Sequence, residues 1–409
     1  MNNATEVVEV TEELLDRWAT DPEGPVALRM KQTLLPVEES GIIFPPTYAD
    51  IGYNIDTLSD GTRVATIDSV GSQANRLEPF FKSESEDPKE WLVPQIEIVI
   101  REEPCGECDA CKENGQAKKG KKQKCKQPHK VTRSLLDLAH RAADAVVQAC
   151  PDLVKQIAPA FKALQKGDAG PLCSIAPTSL VFGVWDSRGD TGEKRPRLVR
   201  SIIRAWDVDP LHAAAQFNSV WKLLDGEQQE ELEKEAKAKK AKLSEKGLAD
   251  APATFRKTKV QQYRDGSPNP EARVLGGVLV KGRIERDVTV NLVALRGLHG
   301  KDESETTAIR KYLLGLSLVA ATADMDLFLR EGCLLRYADD DDAWYQVPRR
   351  GEPTPLVLRA RMARKYAEDA AEHFRKKWTE IGEFKFTFDL KEAKKLLAKK
   401  TAEEAEQPE

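Results

Sequence analysis

Four cysteines stand close together at Cys105, Cys108, Cys111 and Cys125, with His129 four residues beyond the last. Thiolates spaced two residues apart can turn back onto one metal ion, and lysines nearby lower their pKa and favour the bound form. Four thiolates close a tetrahedral zinc site. A closed site leaves no position for a substrate, so the zinc expected here is structural and ties a lysine-rich loop over 101–130 into shape. Zinc binding of this kind supplies roughly 10–16 kcal/mol in small peptides, enough to order a loop without a core of its own. The residue types alone also allow idle thiols or an iron–sulfur cluster. The chain has seven cysteines in all. An odd number, mostly crowded into one segment, suits metal ligands in a reducing compartment better than a disulfide framework.

Two further segments carry groups suited to a polyanion. Asp186 to Arg204 holds six basic residues against three acidic, and its glycines allow close backbone approach. Ser187, Arg188, Lys194, Arg195, Arg197, Arg200 and Arg204 offer donors for phosphate oxygens. If the chain is helical after Pro196, Arg197, Arg200 and Arg204 share a face; a solvated face is the plain alternative. Following a strand, Ser72, Gln73, Asn75 and Arg76 present hydroxyl, amide and guanidinium groups that suit ribose hydroxyls and phosphates. A self-satisfied turn would use the same residues. Motifs of catalysis are missing: there is no Gly-x-Ser-x-Gly elbow, Walker loop or His-Glu-x-x-His. Ser187 beside Asp186 lacks an identifiable base, and the aspartates 339–342 would bind a cation only if they converge. The chain therefore reads as a binding protein and not an enzyme.

The elements that would position these groups are mixed. Ala27 to Leu35, Arg63 to Val70 and Leu92 to Ile100 read as strands, and Phe44 to Tyr48 as an ordered proline-rich loop. Gly71 to Pro79 reads as an exposed polar stretch. The apolar spacing of Leu135, Leu138, Ala142, Val146 and Ala149 predicts a helix over 134–149 stopped by Pro151. Leu180 to Trp185 reads as a buried strand. Arg273 to Val280 and Ile284 to Leu295 read as a hairpin closed by Lys281-Gly282-Arg283. Two long helices are expected over 304–323 and 358–378, and two strands flank the aspartates 339–342. The segment 225–250 is a charged helical insertion in which lysines balance acids. This gives an α+β protein with an antiparallel sheet over 25–338, followed by a C-terminal helical region over 339–409 with an acidic loop and a charged tail.

Composition sets the outer bounds. With 40% hydrophobic residues in 409 the chain can bury a real core, and 32% charged residues give it a large polar surface. The net charge of −4 averages over segregated blocks: Lys112 to Arg133 is strongly basic, whereas Glu84 to Asp87 and Glu403 to Glu409 are acidic. Such segregation lets one face grip a polyanion while another meets copies of the same chain. No run approaches the roughly 18 apolar residues of a membrane helix, and the acidic Met1 to Glu13 is unlike a signal peptide, so a cytoplasmic protein without a membrane is expected.

Three segments, taken in order, resemble one family: Phe44-Pro-Pro-Thr-Tyr48; Asp68-Ser-Val-Gly-Ser-Gln-Ala-Asn-Arg-Leu-Glu78; and Phe182-Gly-Val-Trp-Asp-Ser-Arg-Gly189 through Arg197-Leu-Val-Arg-Ser-Ile-Ile-Arg-Ala205. The family is the backbone subunit of type I-G (formerly I-U) CRISPR Cascade complexes, a RAMP protein of the Cas-seven superfamily, and the resemblance spans roughly residues 25–330. It implies an RRM-like (ferredoxin-like) palm elaborated by thumb and finger insertions. It also implies a filament of copies along a crRNA, which holds the guide open for target DNA in antiviral defence. Further Cascade partners would be a large subunit and a repeat-processing subunit. On this resemblance Gln73, Asn75 and Arg76, with Arg188 and the arginines after it, contact guide backbone, as do Arg29 and Lys31. Lys281 and Arg283 form a thumb tip. A guide must be held whatever its sequence, so contacts should go to phosphate and ribose. Two alternatives stay open: a target-RNA-cleaving subunit of type III kind, using Asp68 or Asp186, and a zinc-stabilised interaction protein without RNA.

Overall fold

The computed structural model describes residues 7–48, 51–105, 107–108, 125, 128–187, 189–212, 220–241, 243–246, 248, 275–338, 343–381 and 384–396. Strands Ala27–Pro36, Arg63–Asp68, Val199–Trp206 and Ile284–Asn291 form the centre of a ten-stranded sheet. Side by side their order is 27–36, 284–291, 199–206, 63–68, and each neighbouring pair is antiparallel. The mixed α+β class read from the sequence holds.

Alternation along these strands divides the sheet into two faces. Leu28, Met30, Val288, Val290, Val199, Ile203 and Ala205 are buried on one of them. Helix Val70–Leu77 packs on Val199–Trp206 from that side, and helix Glu303–Ala321 packs on both Val199–Trp206 and Ile284–Asn291. Between sheet and helices runs a buried polar chain. The Gln73 amide donates to Asp68 Oδ2 at 2.6 Å and its oxygen accepts from Ser201 Oγ at 2.6 Å. Ser201 Oγ accepts from Arg286 Nε at 3.1 Å, and Arg286 Nη1 donates to Gln32 Oε1 at 2.7 Å. One residue from each central strand takes part, so any slip in register would break several buried hydrogen bonds at once.

The C-terminal region, set apart in the sequence reading, is continuous with this fold. Strands Cys333–Tyr337 and Ala343–Val347 both pair with Ala27–Pro36, and Thr354–Val357 extends the sheet beyond them. Helix Ala360–Ile381 lies against Glu303–Ala321, where a Cβ on Gly315 would come within 2.7 Å of Ala367 Cα. No helix among the described residues is long and apolar enough to cross a membrane.

Several local expectations change. The polar stretch after strand Arg63–Asp68 is helix Val70–Leu77, begun by Ser69, whose hydroxyl accepts from Ser72 N at 3.3 Å. The single helix expected over 134–149 does not form. Strand His129–Ser134 is followed by 3₁₀ turns Leu135–Asp137 and Arg141–Ala143 and by the short helix Ala145–Gln148. Arg141 has φ +53°, which the interior of an α-helix does not accommodate, and Pro151 starts helix Pro151–Gln165 where a stop was expected. Leu180 to Trp185 divides into helix Thr178–Val181 and strand Val184–Trp185, a known ambiguity of short apolar runs.

The expected hairpin at Lys281-Gly282-Arg283 is also corrected. Strand Leu275–Val280 pairs with Val208–His212, whereas Ile284–Asn291 pairs with Val199–Trp206 and Ala27–Pro36. The two runs are successive lengths of one bent ribbon, and Asp207 (φ +52°) bends the partner chain beside them. Gly282 donates to Trp206 O at 3.2 Å, and a Cβ there would lie 2.5 Å from that oxygen. The charged insertion does contain a helix, Gly226–Ala238, with a capping box from Asp225 and Gln228 and no buried side chain. The aspartates 339–342 lie outside the described residues.

Candidate nucleic-acid interface

The second face of the sheet carries no helix among those described, and its side chains follow from the register. Arg29 stands between Tyr345 and Thr289, and Thr289 is opposite Arg200. The next row contains Lys31, Asp287 and Ile202, and the one after it Thr33, Glu285 and Arg204. With strands about 4.8 Å apart, Arg29 and Arg200 are roughly 10 Å apart across the sheet, and Arg200 lies about 13 Å along its strand from Arg204. Arg200 is exposed and Arg204 half-buried, and neither has a carboxylate within 4.0 Å among the described residues. Two aromatic rings border the face: Arg29 sits 5.1 Å from the Tyr345 ring centroid, and Arg283 5.1 Å from that of Trp206. The acids are mostly committed. Glu285 pairs with Lys31 at 3.4 Å and Arg283 at 2.9 Å, and Asp287 lies 3.8 Å from Lys31. Lys281, taken as a thumb tip, is held by Asp207 at 3.2 Å and Asp209 at 3.4 Å. These two carboxylates raise its pKa.

The two polar segments singled out in the sequence meet at a residue that was not. Arg141, in a turn that the expected helix concealed, directs its guanidinium toward Asn75 Oδ1 (3.5 Å) and the Gly183 carbonyl (3.5 Å), and stands 2.7 Å from Glu78. Around it opens a cleft of ≈ 400 Å³ lined by His140, Trp185, Ser187, Lys194, Arg195 and Arg197, among others. Asn75 is exposed beside it. Within helix Val70–Leu77, Ser72 is half-buried against the Ser69 hydroxyl at 3.1 Å. Gln73 is fully buried in the strand-crossing chain, which withdraws it from any surface ligand. Arg76 is bound by Asp68 at 3.1 Å and the Leu329 carbonyl at 3.0 Å. Arg195 is similarly held, by Glu193 at 2.9 Å and the Leu164 carbonyl at 2.9 Å. Arg188 lies outside the described residues. The helix expected after Pro196, with Arg197, Arg200 and Arg204 on one face, does not form: Val199–Trp206 is a strand, on which Arg200 and Arg204 share a side at a spacing of four while Arg197 precedes it.

Residues 28–210 match the family described as CRISPR-associated protein GSU0053. This stretch is thus similar to a CRISPR-associated protein family. The matched stretch takes in nearly all of three central strands, helix Val70–Leu77, the cysteine loop and the cleft around Arg141; strand Ile284–Asn291 lies beyond it. No curated protein matches the chain.

The cysteine loop springs from an antiparallel pair, Glu97–Glu103 with His129–Ser134, where Glu103 faces His129. Cys105, Cys108 and Cys125 converge beyond that pair, all half-buried, and could hold a metal ion. Their sulfurs are 3.5 Å (Cys105 to Cys125) and 3.7 Å (Cys108 to Cys125) apart. Thiolates on one tetrahedral zinc at about 2.3 Å would stand about 3.8 Å apart. The Cys108 and Cys105 amides point at Cys105 and Cys125 sulfurs, each at 3.4 Å, and would stabilise thiolate charge. The residues fit zinc; Cys111 lies outside the described residues. Elemental analysis of the purified protein should find about one zinc per chain. Cys108→Ser should lose most of it, with proteolysis then cutting first between 105 and 125. Wild-type protein without metal, whose thiols all react freely with a thiol reagent, would refute a zinc site.

Proposed function

We propose that this chain is a crRNA-binding backbone subunit of a CRISPR effector complex of the type I-G kind. It would line the guide with copies of itself and present the spacer to target DNA. The observation that carries this reading is the helix-free sheet face, where Arg200, Arg204 and Arg29 stand with Tyr345 and Trp206. Free guanidinium groups attract phosphates whatever the base sequence, and aromatic borders stack bases without choosing among them. The four antiparallel strands with helices on the opposite side agree with an RRM-like palm, and the bent ribbon continuing into Val208–His212 and Leu275–Val280 would be its thumb.

The proposed role is binding without cleavage. Asp68 is buried and its Oδ2 accepts from Gln73 and Arg76. Burial raises its pKa, against the pull of those donors. Asp186 is buried too, and its Oδ2 accepts from Thr191 Oγ1 at 2.5 Å. Neither carboxylate stands open toward a phosphate. Guide-loaded protein incubated with complementary RNA and magnesium should therefore leave that RNA intact. Regularly spaced fragments that disappear in Asp68→Ala or Asp186→Ala would show instead a target-cleaving subunit.

A further inference from the structure

The cleft around Arg141 carries more than a general attraction for phosphate. Strand Val184–Trp185 pairs with Lys194–Arg195, with Trp185 opposite Lys194. Trp185 is 59% exposed, although tryptophan is highly buried on average. The Lys194 ammonium lies 5.5 Å from its centroid. Among the described residues no carboxylate lines the cleft. The acids nearest its cations are already engaged, Glu78 with Arg141 and Glu193 with Arg195. Arg197 is exposed and has no acidic partner among the described residues. An exposed ring beside unneutralised cations matches one nucleotide unit: the base lies on the ring, and the adjoining phosphate meets Lys194 and Arg197.

We propose that Trp185 is a base-stacking residue, and that the cleft behind it holds the phosphate next to the stacked base of a single-stranded RNA. This deepens the binding role proposed above and rests on it. The contact lies at the hairpin, apart from the sheet face, so it would hold a strand at a second point.

The two parts of the site have different signatures. Stacking is uncharged, so Trp185→Ala should weaken binding of a mixed-sequence single-stranded RNA about tenfold and leave the salt slope unchanged. A phosphate contact is ionic, so Arg197→Gln should lower the slope by about 0.7. Trp185→Phe should retain most of the affinity. Both side chains are exposed, and unchanged unfolding temperatures of the three variants would verify the folds. A 5-iodouridine probe should photocrosslink to Trp185 in the wild-type protein. If wild-type protein binds RNA but Trp185→Ala binds equally well and crosslinks fall elsewhere, stacking at Trp185 is refuted and the binding role stands. If wild-type protein binds no RNA, both fall together.

Discussion

Replacing Arg200 and Arg204 together with glutamine is expected to cut affinity for single-stranded RNA about a hundredfold and to flatten its salt dependence. Each guanidinium that meets a phosphate makes a charge-assisted hydrogen bond worth on the order of 1.5 kcal/mol or more, so two lost contacts amount to roughly 3 kcal/mol. Two fewer neutralised phosphates should lower the slope of log affinity against log salt by about 1.4. The fold should tolerate the change, because both side chains lie on the helix-free face and neither enters the buried chain from Asp68 to Gln32. Anisotropy titrations over a range of salt concentrations would read both quantities. An unchanged slope would remove the sheet face from the interface.

The largest effect on stability is expected at Glu78 and Arg141. Their side chains are 1% and 5% exposed and 2.7 Å apart, with the guanidinium also 5.3 Å from the Phe182 ring centroid. Removing the acid leaves the Arg141 guanidinium buried alone, so Glu78→Ala should cost about 3–5 kcal/mol. Arg141 also holds a left-handed backbone, φ +53°, that few side chains adopt without strain. Burial pushes the Glu78 carboxyl up to about 7, outweighing the pull of Arg141, from an ordinary value of 4.5. The folded state therefore holds this proton more tightly than the unfolded chain does. Its contribution to stability is full below about 4.5 and declines as pH rises toward about 7. Chemical denaturation across that window should show a flatter pH dependence in Glu78→Gln than in the wild type. Parallel curves would mean that Glu78 is ionised throughout.

Much of the architecture was legible in the sequence where a pattern was long. Helices Glu303–Ala321 and Ala360–Ile381 have many turns over which their spacing repeats. Strand Ala27–Pro36 alternates across ten residues. Errors gathered where elements are short or where pairing joins distant segments. Pro151 serves as a helix start as readily as a stop, and nothing local shows which. Leu275–Val280 and Ile284–Asn291 look like a hairpin until Val208–His212 and Val199–Trp206 are available as partners.

Within the candidate site, charge was legible and burial was not. Arg200 and Arg204 return to one side at a spacing of four on a strand as on a helix. Gln73 reads as a surface amide because no sequence pattern announces that Ser201, over a hundred residues away, needs its oxygen. Arg141 was invisible for the opposite reason, since its role depends on a turn that breaks a regular apolar spacing. Trp185 had a signal that went unused: a tryptophan next to a basic, glycine-containing turn is placed to stack. Cys105, Cys108 and Cys125, three of the four cysteines expected together, do converge, because metal-ligand spacing is a local property.

The central claim is that this chain holds a guide RNA, and the most direct measurement is the RNA that stays with it. The protein is purified after expression with its CRISPR array, and the bound RNA is sized and sequenced. The account predicts a discrete species in which a spacer is flanked by repeat sequence, released by high salt and lost in the Arg200→Gln, Arg204→Gln variant. Random cellular fragments, or protein free of nucleic acid at low salt, would contradict it.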